Sequence, residues 1–100
     1  MSVLGRRIIS EEWKAVHVRI EGRVQGVWYR GWTVRAARRL DLSGWVHNNA
    51  DGSVEAVFTG DAAKVDAMIQ RCRRGPPAAN VTAIHQMVFE DEVTPGFHQR

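Results

Sequence analysis

Asp51-Gly52 stands near the middle of the chain between two β-rich runs, GWVHNN before it and SVEAVFTG after it. An Asp-Gly pair supplies the positive φ that tight hairpin turns require, so residues 44–60 read as a β-hairpin with antiparallel arms. Everything else must be arranged around that hairpin. On its N-terminal side, Val16, Val18 and Ile20 alternate with His17, Arg19 and Glu21, the period of a half-buried strand. Tyr29, Thr33, Ala36, Ala37 and Leu40 then recur at helical spacing, with Arg30, Arg35, Arg38 and Arg39 on other faces, which predicts a helix over 28–40. On the C-terminal side, Asp61 is placed to cap a second helix whose apolar stripe is Val65, Met68, Ile69 and Cys72, ended by Gly75-Pro76-Pro77. Residues 81–89 read as a strand of imperfect alternation, and the tail TPGFHQR as a short edge strand. The order is β-α-β-β-α-β. It predicts an α+β, ferredoxin-like sandwich: an antiparallel sheet with two helices on one face. Residues 1–12 show no clean period and read as a loosely ordered leader to a domain spanning 13–100.

The chain has 100 residues, enough for one modest core. Its composition is globular, and a formal net charge of +3 favours anionic partners without saying which. The single cysteine excludes an intrachain disulfide and fits a reducing compartment. No apolar run is long enough for a membrane span or a signal-peptide core. A cytoplasmic monomer without membrane partners is expected, and because the strand aromatics and basic residues form no RNA-recognition-motif pattern, no nucleic-acid partner is expected either.

Several chemistries find no support. There is no P-loop pattern. Cys72 lies on an apolar helical stripe and reads as a small core thiol. His17, His47, His85 and His98 lack metal-ligand spacing, no nucleophile elbow is present and no carboxylates pair, so no cofactor or metal is expected. What remains is GRVQGVWYR at 22–30. Its glycines let successive main-chain N–H groups converge after a strand, the following helix presents its positive end, and Arg30 can reach the same spot. The same residues also suit an ordinary strand-to-helix turn, and on physical grounds alone both readings stand.

GRVQGVWYR resembles the first signature of the acylphosphatases, G-x-V-Q-G-V-x-F-R, with Tyr29 for the usual Phe. GWVHNNADGSV resembles the second, G-[WF]-V-x-N-x-x-x-G-x-V, and the resemblance runs from about residue 14 to the end. It implies a phosphate-binding loop formed by Gly22, Arg23, Val24, Gln25, Gly26 and Val27 through main-chain N–H groups. It also implies an essential arginine at Arg30 and an essential asparagine at Asn48 that holds the attacking water. The implied activity is metal-independent hydrolysis of a small-molecule acyl phosphate to a carboxylate and phosphate. The rival reading is a non-catalytic phosphate- or nucleic-acid-binding module on the same fold.

Asn49 reads as turn chemistry. His47 takes a position where the family usually has Lys, Arg or Gln, and should face away from Asn48. Trp13 and Trp45 read as packing residues. Trp28 and Trp32 do too, with the acyl side of the substrate as their alternative role. Arg35, Arg38 and Arg39 read as a solvated face able to draw anions inward.

Overall fold

A computed structural model describes residues 12–100; apart from Glu12, the expected leader lies outside the described residues. Five strands and two helices follow one another as β1 (Trp13–Arg23), α1 (Tyr29–Arg39), β2 (Ser43–Asn48), β3 (Val54–Asp61), α2 (Ala62–Arg74), β4 (Asn80–Val88) and β5 (Phe97–Gln99). They form one sheet in the order β4-β1-β3-β2-β5. The first four strands pair antiparallel, as the sequence predicts for a ferredoxin-like sandwich. The tail does supply an edge strand, but it pairs parallel with β2, Phe97 opposite Gly44.

The alternation in β1 sends Val16, Val18 and Ile20 to one face, opposite Phe58, Ala56 and Val54 of β3. Both helices cover that face. Tyr29, Thr33, Ala36 and Ala37 come from α1, and Val65, Met68, Ile69 and Cys72 from α2. Each of the larger apolar side chains, fully buried, contributes about 1.5–3 kcal/mol of transfer free energy. Phe97 brings β5 into the same core by stacking on Phe58, ring centroids 5.4 Å apart. On the uncovered face, Glu55 lies between two histidines, 2.5 Å from His17 and 3.1 Å from His47. The His17 contact, chiefly, holds the Glu55 carboxyl below its usual range.

Packing expectations change at Trp28, which is 55% exposed, and at two further residues. Trp13 is 66% exposed rather than packed, because it shares the strand parity of Ala15 and His17 and so faces the side of the sheet that no helix covers. Arg38 is not simply solvated: its guanidinium donates twice to the Phe97 carbonyl, at 3.0 and 3.3 Å, and ties α1 to β5.

The helices are locked together at one polar point. Pro76 has no N–H with which to donate to the Cys72 carbonyl in the usual i to i−4 manner. The buried Tyr29 hydroxyl donates to that carbonyl instead, at 2.6 Å. Burial raises both the Tyr29 phenol and the Cys72 thiol, the latter to about 12, so both keep their protons. Tyr29→Phe leaves the carbonyl without this donor. The expected cost is about 1–3 kcal/mol, measured as a lowered urea midpoint with an unchanged m-value.

Candidate active site

Strand β1 leaves the sheet after Arg23, and the chain re-enters regular structure at Tyr29. Gly26 (φ 76°) and Trp28 (φ 69°) both turn left-handed in this short crossing. For Gly26 that is unstrained. For a tryptophan it costs about 1–3 kcal/mol and must be enforced by its surroundings. Among the described residues, no main-chain N–H from Val24 to Trp28 donates to a main-chain oxygen. Helix α1 adds its own first N–H groups, and it has no side-chain cap and no acidic residue in its first turn. Helix α2 differs, since Asp61 accepts from the Lys64 N–H at 3.2 Å. One helix start is closed by its own sequence, and the other is left as a cluster of donors with a positive end.

Those donors border a pocket of about 250 Å³ lined by Val24, Gln25, Gly26, Arg30, Asn48 and Gln99, among others. Asn48 arrives by the parity of β2. Gly44 and Val46 point into the core, so Asn48, two residues on, points the same way from the strand end, where the core has run out and it is exposed. His47 has the opposite parity, with its Nε2 2.9 Å from Asn49 Oδ1 and 3.1 Å from Glu55 Oε1. Arg30 projects from the first turn of α1, and its Nη1 donates to the main-chain oxygen of Arg100 at 2.7 Å. No other hydrogen bond engages its guanidinium among the described residues, so its remaining donors are available to the pocket.

The hairpin that carries Asn48 is built as the Asp51-Gly52 signal predicts. The Asp51 carboxylate accepts from the Ser53 N–H (2.9 Å) and hydroxyl (2.7 Å) and pairs with Arg19. The Ser53 bonds chiefly, with Arg19, lower its pKa to about 2. Across the pocket, the Gln25 amide donates to the Asn49 and Ser53 carbonyls, at 2.8 and 2.9 Å. The crossing loop and the hairpin are thereby braced to one another.

Of the residues singled out from the sequence, Val24, Gln25, Gly26, Arg30 and Asn48 meet at this pocket. Gly22 and Arg23 belong instead to the β1–β4 ladder, opposite Val81 and Asn80, and Val27 is not in the pocket wall. Gly22 has its own reason to be glycine, because a Cβ there would sit 2.1 Å from the Asn80 carbonyl oxygen. The bracing by the Gln25 side chain, and the contributions of Gln99 and Gly31, were not legible. Nothing in a three-residue tail strand marks Gln99 for a site, and a glycine in a helix reads only as a propensity cost. Among the described residues no group of three or more His, Cys, Asp or Glu side chains is arranged to hold a metal ion, and no helix is long and apolar enough to cross a membrane.

The acylphosphatase family model matches residues 16–99. An acylphosphatase of Rhodospirillum rubrum is 53% identical over 87 residues, covering 87% of this chain and 96% of the relative. One from Acidiphilium cryptum is 51% identical over 86 residues, covering 86% and 94%. Among solved structures, an acylphosphatase from Coxiella burnetii superposes with a TM-score of 0.86 at 31% identity, covering 91% of this chain and 96% of the other.

The brace is testable independently of any activity. Gln25→Ala removes both cross-pocket donors, and each is worth about 0.5–1.5 kcal/mol. Stability is expected to fall by about 1–3 kcal/mol in urea unfolding. Amide exchange should quicken at Asn49, whose N–H donates to the Ser53 carbonyl at 2.8 Å.

Proposed function

The chain belongs to the acylphosphatase family and is an enzyme that hydrolyses acyl phosphates; we propose that Arg30, Asn48 and the loop that follows Arg23 carry the reaction. The observation behind this reading is the row of main-chain N–H groups after β1 that have no main-chain acceptor, at an uncapped helix start beside Arg30 and Asn48. The N–H groups of Val24, Gln25 and Gly26, with those of the first turn of α1, hold the phosphoryl oxygens. Arg30 adds charge-assisted bonds through the donors it does not spend on Arg100.

The Asn48 amide orients a water in line with the bond to be broken. The water oxygen bonds to phosphorus, the bond from phosphorus to the acyl oxygen breaks, and its electron pair leaves as a carboxylate. The water's proton passes to a phosphoryl oxygen. A carboxylate needs little general-acid help to leave, and the loose transition state is served by positioning and by fixed donors. Asn48 cannot act as a base. Neither a metal nor a cofactor has a part in this scheme, and the enzyme acts as a monomer in the cytoplasm on small-molecule substrates.

Turnover of benzoyl phosphate with a chelator present tests the scheme. Asn48→Ala should lower kcat by about 10²-fold or more, by analogy with loss of one preorganised donor, and leave competitive inhibition by inorganic phosphate nearly intact. Arg30→Ala should weaken both. Equal behaviour of the two variants would refute the division of roles. Phosphate binding without turnover in the unsubstituted protein would favour the non-catalytic rival.

A further inference from the structure

A groove larger than the pocket just described, about 760 Å³, lies between α1 and α2, and its walls include Trp28, Trp32, Arg35, Arg39, Arg71 and Arg74. No acidic side chain lines it, and among the described residues none of its four arginines takes part in an ion pair. Basic residues in a last helical turn complement the helix dipole. That accounts for Arg39, Arg71 and Arg74, but not for Arg35 in mid-helix or for the two indoles beside them.

Trp28 belongs to the wall of both the groove and the smaller pocket. It is held there at 55% exposure by its left-handed backbone, by the Arg35 guanidinium 5.6 Å from its ring centre, and by Gly31. A Cβ at Gly31 would sit 2.1 Å from the Trp28 Nε1, so the indole can fold against α1 only because that side chain is absent.

Resting on the proposed reading of the smaller pocket, we infer that this groove is the acyl subsite and that it selects acyl phosphates whose acyl group is flat and carries a distal anion. In-line displacement puts the leaving oxygen opposite the attacking water. Asn48 belongs to the sheet layer and the groove to the helical layer, with Trp28 between them. A leaving acyl group directed away from Asn48 therefore passes Trp28 and enters the groove. The indole faces suit a planar body, and guanidinium forks suit a carboxylate or phosphate at its far end.

The test compares kcat/KM for benzoyl phosphate and 4-carboxybenzoyl phosphate, which differ only in the distal carboxylate. The enzyme should prefer the second by about tenfold, equivalent to about 1.4 kcal/mol. In Arg35→Gln/Arg71→Gln, confirmed folded by its urea midpoint, the ratio should fall to near one. Lys64→Gln/Arg73→Gln removes the same charge from helix positions outside the groove and should keep the preference. Equal kcat/KM for the two substrates overturns the inference, as does a preference that both double variants reduce alike, since that would be an effect of net charge. If benzoyl phosphate itself is not turned over, the reading of the smaller pocket fails and the subsite falls with it.

Discussion

Strand β1 is hydrogen-bonded along both edges, to β3 on one side and β4 on the other. A chain leaving such a strand has no free edge to follow, so it must cross onto the face of the sheet and begin covering the core. Here it does so between Arg23 and Tyr29. A connection that short and that sharply turned cannot pair its own N–H groups, and the helix it feeds has orphan donors of its own. In most proteins such groups are capped by side chains or solvent. In this chain they are gathered beside an arginine and an asparagine, the arrangement behind the proposed anion site.

The two ends of the crossing are held by unlike means. At the helix, Tyr29 is anchored in the core and its hydroxyl serves the Cys72 carbonyl that Pro76 leaves without an i+4 donor. The stop signal of one helix thus fixes the start of the other. At the loop, Gln25 reaches over to the hairpin. The hairpin is itself stiffened by Asp51, Ser53 and Arg19. On the proposed reading such preorganisation matters, because fixed donors cost no reorganisation when charge develops on a bound phosphoryl group.

The regular elements were legible because burial imposes its period on sequence. The stripe from Val65 to Cys72 and the alternation from Val16 to Ile20 both fall where expected, and the Asp-Gly pair marks its turn. The direction of β5 was not legible, since three residues carry too little pattern to distinguish parallel from antiparallel pairing. Within GRVQGVWYR the difficulty was of another kind. Gly22 and Gly26 look alike in sequence, yet the first makes room for the Asn80 carbonyl in a ladder while the second turns the loop. The sequence assigns Gln25 only a main-chain role, and its side chain proves to be the brace. Such divisions of labour depend on what lies across a gap, which spacing along one segment does not encode.

Arg30 shows how the short tail strand bears on chemistry. An unrestrained arginine loses considerable rotamer freedom whenever it is fixed on a ligand, about 2 kcal/mol in all. In this fold part of that ordering is done in advance, because one arm of the guanidinium is bound to the Arg100 main-chain oxygen. The tail is in turn fastened by its pairing with β2, by the Arg100 N–H on the Val46 carbonyl at 2.8 Å, by Phe97 in the core, and by Arg38. Asn48 ends the same strand β2 to which the tail is paired. The arginine and the asparagine thus share a single scaffold, though they come from different elements. Arg30 is tied to the residue that follows β5, and Asn48 ends β2, the strand with which β5 pairs in parallel.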